Sequence, residues 1–517
     1  MFRISSGASD GAAYRSGLSG FGFFSVLAST EGSDGQEPES APRKRRSGGG
    51  KAIIAVVIVL AVIIAGAGAY LLTQHPSSST KLKKTTTTSP SHTTVTVWQD
   101  FSSTEFPAFL SARSAFMSLY PNITVDWVNQ TTPSPSTLVA AALAGKAPNI
   151  IIGTSDFEGS TLFYHGLVVN LSAVVNSSFF SQYSSTARSD VTLNGSIYGF
   201  PLNVNGVAMI YNKHLIPTAP TTTNQMIQMA KNITVITNGK YVTAGVAYGL
   251  GSDGGYRFVA WQAGFGGRLF AANGAPTINT NATVDALEFL NNLTTVYQIQ
   301  PPALTGSEWQ SLFETGHAGI IFDGPWDIAA YINALGVQNV GVAPMPTVSQ
   351  TGLRPLPFLG SIAAAVLTKS SSGASNSQMW ASIRFGEFLA SNATEIKFWN
   401  SAGDFPSVTS ALSYVDSLNV GWATGYSDQF VNDSQHFVNA PQMGYYWTPF
   451  GTYVSEFTSG KINATATAAD IQNAIVQSMT QNHVPPYVVV YSTVSSAAQT
   501  AAASSIFVAG AGMETRN

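Results

Sequence analysis

Apolar and polar positions along the chain fall into successive regimes. Met1 to Pro42 is rich in Gly and Ser with little periodicity, which reads as a disordered tail or leader. Ala52 to Leu72, AIIAVVIVLAVIIAGAGAYLL, runs 21 residues without a charge. At about 1.5 Å per residue it spans the roughly 30 Å hydrocarbon core of a bilayer. Residues 73–93, Ser/Thr-rich and without an apolar period, read as a flexible or glycosylated stalk. From there on the periods alternate. VTVWQDF (Val95 to Phe101) has strand alternation, Glu105 to Tyr120 has helical spacing, and ITVDWVN is again a strand, which makes a βαβ start and predicts a parallel sheet. LVAAALAGKAPNIIIG continues as helix, Gly/Pro break and buried strand; NGSIYGFPLN reads as turn and strand, and GVAMIYNK as an apolar strand. No short fixed repeat is visible, which disfavours solenoids and propellers.

Charge assigns sides to these regimes. Arg43, Lys44, Arg45, Arg46 and Lys51 precede the apolar run, against Lys81, Lys83 and Lys84 after it, so the positive-inside rule puts the N-terminal flank in the cytoplasm and the body outside. The same basic-then-apolar order resembles the pilin-like leaders of some archaeal surface proteins, in which residues up to about Lys51 are removed. A retained anchor and a processed stem both leave the body outside. The sequon N-x-S/T occurs 11 times, at Asn122, Asn129, Asn170, Asn176, Asn194, Asn232, Asn281, Asn292, Asn392, Asn432 and Asn463, and never before the apolar run. The formal net charge of −3 hides an asymmetry: 10 Lys/Arg and 5 Asp/Glu before Thr94, then 14 and 22. A mildly acidic body argues against a nucleic-acid binder. Charged residues are only 10% of the chain, so hydroxyls and glycans must supply solubility, which suits an acidic exterior where carboxylates protonate. Loss of solubility at about pH 3 would count against that habitat.

Composition narrows the chemistry further. There is no cysteine, hence no disulfide, thiolate metal site or thiol nucleophile. GLGSDG (Gly249 to Gly254) satisfies G-x-G-x-x-G, but the next acidic residue after it is Asp285, too distant for a dinucleotide site. The histidines of the body are dispersed and H-E-x-x-H is absent, so no metal or cofactor is expected. G-x-S-x-G is also absent from the body. What stands out is aromatics beside breaks: Trp326 after Gly324-Pro325, Tyr256 after a Gly-rich turn, and Tyr445, Tyr446 and Trp447 after APQMG. Aromatic faces can lie against the apolar C–H faces of sugars while hydroxyls seek amides and carboxylates. Any one of these rings taken alone fits an ordinary core position as well.

Seven segments in order resemble the extracellular solute-binding proteins of ABC importers, the group typified by the maltose-binding protein. They are VTVWQDF, GKAPNIIIGTSDF, GSIYGFPLNVNGVAMIYNK, FETGHAGIIFDGPW, LPFLGSIAAAV, EFLASNATEIKFWNSAGDFPS and APQMGYYW. The resemblance implies a two-lobe α/β periplasmic-binding-protein-like fold (type II) over residues 94–484, with lobe 1 about 94–203 and 355–405 and lobe 2 about 205–350 and 410–484. It implies a sugar, a di- or oligosaccharide, captured in an interlobe cleft without turnover and handed to permease subunits that work with a cytoplasmic ATPase. Tyr256, Trp326 and Trp447 match its sugar-stacking positions, and Asp156 a carboxylate that binds sugar hydroxyls. Asn205 stands where the type member has an acidic residue, Phe157 where it has an arginine and Gly153 where it has an aromatic, which casts doubt on maltose itself. A surface carbohydrate-active enzyme and a non-transport adhesin remain alternatives. Residues 485–517 lie beyond the resemblance.

Overall fold

Alternation in TTVTVWQ puts Thr93, Val95, Val97 and Gln99 on a buried face, so these residues form a strand, β1 (Thr93–Gln99). The computed structural model describes residues 92–128, 135–154, 160–251, 254–304 and 306–484, with Tyr487, Val489 and Thr493–Ser495. The leader, Ala52 to Leu72 and nearly all of the stalk lie outside the described residues. No helix among those described is long and apolar enough to cross a membrane.

In the first lobe β1 pairs in parallel with β2 (Ile123–Trp127) and with β3 (Ile150–Thr154). The helix Phe106–Leu119 connects β1 to β2 and buries Ala108, Phe109, Ala112 and Phe116. Here the expected parallel sheet is corrected. Two further strands, β6 (Phe200–Pro201) and β14 (Ile362–Val366), complete an order β2-β1-β3-β14-β6 in which β14 runs antiparallel to both neighbours. A parallel neighbour needs a crossover that returns the chain to the same end of the sheet; β14 instead arrives from the other lobe and enters the sheet from the opposite end. The hairpin of β4 (Thr192–Leu193) and β5 (Ser196–Ile197) turns through Asn194 and Gly195, both at positive φ (51° and 74°), as an Asn-Gly pair does most readily.

The second lobe is also a mixed sheet. Its strands β8 (Ala208–Asn212), β9 (Val235–Thr237), β10 (Lys240–Val246), β11 (Ala318–Asp323) and β12 (Val340–Ala343) lie in the order β12-β8-β11-β10-β9. Between the lobes a small sheet orders β16 (Thr493–Ser495), β15 (Asp433–His436), β13 (Phe358–Gly360) and β7 (Asn205–Gly206). Chain order makes this the crossing region: β7 lies between β6 and β8, and β13 between β12 and β14. One apolar cluster runs continuously from the first-lobe sheet to one face of the second, including Val97, Ile152, Ile210, Ile321 and Ile328. A second cluster covers the opposite face with Met209, Phe258, Trp261 and Phe322.

Candidate ligand-binding site

Strand β11 is buried at every position and ends on Asp323. That carboxylate accepts from Arg257 Nη2 at 2.7 Å and from Tyr331 Oη, so the strand's carboxyl end is pinned to the helix Gly254–Gly264 and the helix Ile328–Leu335. Pro325–Asp327 forms a 3-10 turn leading into the latter helix. The Trp326 ring folds back over Gly324, where a Cβ would sit 2.0 Å from it, so only glycine leaves room for this rotamer. Tyr256 occupies the first turn of its helix, and Trp447 opens the helix Trp447–Thr458 after the 3-10 turn Pro441–Tyr445. Each expected aromatic therefore stands at a helix start.

The fold gathers them into one row. Tyr256 and Trp326 meet edge to face with centroids 6.2 Å apart. Phe437 stacks on Tyr256 at 6.4 Å and 22°, and on Trp447 at 6.4 Å and 21°, joining the two from between. Phe358 lies 4.5 Å from Phe437 and 5.9 Å from Tyr256. Phe358 and Phe437 are only 1% and 4% exposed, whereas Tyr256, Trp326 and Trp447 are half-buried. The row thus has a sealed base and outer rings that keep apolar surface accessible, as a stacking platform requires.

Asn205 is brought to the same place. It lies on β7 in register with Gly360, is buried, and its Nδ2 lies 3.5 Å from Asn203 Oδ1. That short strand packs against the turn carrying Trp326. Asp156 and Phe157 lie outside the described residues, and Gly153 is buried in β3 opposite Ala363. Phe437 and Phe358 escaped sequence reasoning, although Phe437 follows β15 directly, the same strand-end signal that drew attention to Trp326.

The lobes touch on several sides of this row. Ser102 Oγ, from the loop after β1, donates to the Trp326 carbonyl at 3.1 Å. Tyr198 Oη donates to Asn439 Oδ1 at 2.9 Å, and Asn439 Nδ2 to the Thr192 carbonyl at 2.8 Å. Tyr164 meets Tyr487, from the C-terminal extension, edge to face at 5.4 Å. Below Trp326, burial and the neighbouring Asp323 push the Asp327 carboxyl up to about 8 while Gln310 Nε2 donates to it at 2.6 Å. A separate cavity of about 500 Å³, lined in part by Tyr248, Leu290, Asn291, Gln300 and Gly451, shares no residue with the aromatic row.

Residues 111–419, more than half of the 517-residue chain, match the family described as bacterial extracellular solute-binding protein. The chain belongs to this family. The maltotriose-binding protein of Pyrococcus abyssi (strain GE5 / Orsay) is 24% identical to this solute-binding protein over 357 residues, 68% of this chain and 75% of that one. The maltodextrin-binding protein MdxE of Bacillus subtilis (strain 168) is 25% identical over 358 residues, 66% of this chain and 80% of its own. Among solved structures, the maltose/maltodextrin-binding domain MalE from Bdellovibrio bacteriovorus bound to maltotriose superposes with a TM-score of 0.70 at 22% identity, covering 75% of this chain and 100% of that one. That likeness establishes the two-lobe fold of this solute-binding protein.

Proposed function

We propose that this solute-binding protein captures a maltooligosaccharide between its lobes and delivers it to an ABC permease at the cell surface. The observation that carries the reading is the row Trp326, Tyr256, Phe437 and Trp447, whose outer rings are half-exposed over a buried phenylalanine base. Sugar rings stack on Tyr256, Trp326 and Trp447, while Asn205 and Asp156 hydrogen-bond the hydroxyls. The names of the relatives point to the same ligand class, since they bind maltotriose and maltodextrin. Binding proceeds without a chemical step: closing the lobes excludes water from the sugar's hydrogen bonds, and the closed shape is what a permease senses. The lobes divide near 94–203 with 355–405 and near 205–350 with 410–484, and Ala52 to Leu72 holds the body outside the membrane, as retained span or pilin-like stem.

Isothermal titration of the chain with maltose, maltotriose and longer maltodextrins tests this. One-to-one binding without product supports it. Release of shorter sugars points to a carbohydrate-active enzyme, and silence towards every sugar sinks the reading.

A further inference from the structure

Where the first lobe meets the turn carrying Trp326, the largely apolar contact surface contains a group of buried carboxyls. Glu105 immediately precedes the helix Phe106–Leu119 and Asp404 follows the helix Asn392–Ala402; they are 1% and 2% exposed. One Glu105 oxygen accepts from Ser102 N–H at 2.7 Å. The other, Oε1, and both Asp404 oxygens are buried with no N–H or O–H donor in reach. The two carboxyls are close enough for each to act on the other's protonation. Two ionised carboxylates offer each other only lone pairs, so these unpaired buried oxygens call for a proton held between them.

The opposing lobe presents more acid to this pair. Asp327 lies across the junction, and the neighbouring Gly403 packs on Ile328, where a Cβ would come within 2.6 Å of its side chain. Asp323 stands behind Asp327, matched by the Arg257 guanidinium at 2.7 Å, and Asp100 faces Glu105 from the exposed end of β1. Tyr331 and Tyr426 complete the surroundings as neutral donors, to the Asp323 carboxylate and carbonyl respectively. Among the described residues, the facing charged groups are therefore Asp100, Glu105, Asp323, Asp327 and Asp404 against Arg257. Arg257 is already committed to Asp323.

We propose that this junction is a proton-gated latch: in acid the shared proton between Glu105 and Asp404 lets the lobes close over Asp327, and its loss towards neutral pH drives them apart. Burial raises the Glu105 carboxyl to about 7, raises Asp404 well above its ordinary value, and together with Asp323 raises Asp327 to about 8. Opening hydrates these groups and returns them towards ordinary carboxyl values. Closure then takes up protons, is fully favoured below those values, and is lost as pH rises through about 7 to 8. The latch belongs to the fold whatever the solute; its effect on sugar affinity rests on the function proposed above.

The test exploits the absence of cysteine. Lys146→Cys and Asn273→Cys place two spin labels on exposed residues of the first and second lobes of the full chain. Without ligand, the distance distribution is expected to shift to the open form between about pH 4.5 and 8.5, and the shift to vanish in the double variant E105Q/D404N. The single variant E105Q, which keeps an acceptor for Ser102 N–H, blunts it and serves should the double variant not fold. A distribution indifferent to pH, or a double variant that still responds, overturns the latch. Maltotriose titrated in the same window should bind about tenfold more weakly, or worse, at the upper pH for each proton taken up per unit of pH. No maltotriose binding at any pH refutes the sugar reading and leaves the spin-label result standing.

Discussion

Trp326 alone could be core or contact; its half-exposed ring over the sealed base of Phe358 and Phe437 is what separates the two. Trp326→Ala is expected to weaken maltotriose binding by about 1–3 kcal/mol in calorimetry, with the fold intact, because a stacking anchor is lost but the base stays buried. Asp323 behaves differently. Its fully buried carboxylate compensates Arg257, whose guanidinium also lies 4.5 Å from the Trp309 ring centroid. Asp323→Ala strands that cation, and denaturant unfolding is expected to register a loss of about 3–5 kcal/mol. Residue type and position made Trp326, Tyr256 and Trp447 visible in the sequence. Their partner Phe437 was not, because its contacts come from segments distant in the chain.

At the scale of elements, local signals were read well where the chain carries its own punctuation. The strand β11 ends at the Gly-Pro break, and the helix Asn376–Leu389 opens with a capping box in which Ser375 and Gln378 satisfy each other's backbone N–H groups. Gln378 also donates to the Thr94 carbonyl at 2.9 Å, tying that helix to the adjoining strand. Ser375→Ala should therefore lower stability by about 1 kcal/mol in thermal unfolding without altering sugar affinity. Sheet direction was the error. The βαβ grammar at residues 93–127 is local and correct, but β14 joins β3 from more than 200 positions further along, and no periodicity records from which end a strand enters a sheet.

For the whole molecule, low charge hides an unusual placement of the acids that remain. Glu395 is buried beneath the N–H groups of Ser407 and Val408 and is raised to about 8, and Glu105 and Asp327 at the lobe junction are raised as well. A carboxyl raised in the folded state holds its proton more tightly than the unfolded chain does. Its stabilisation is complete below the ordinary carboxyl range and is lost as pH climbs through about 7 to 8. Calorimetry is expected to give a higher Tm at about pH 4.5 than at about pH 8, the reverse of a protein held by ionised, salt-bridged carboxylates. The sequence by itself determined the regimes of the chain, the strands and helices with clear periods, and the ordered segments that announced a solute-binding protein. These are properties of neighbouring residues, written in spacing, caps and breaks. Tertiary structure alone decided the antiparallel closure of the sheets, the buried phenylalanines that line up three separate aromatics, and the meeting of Glu105 with Asp404, because each depends on which distant segments share the same few ångströms.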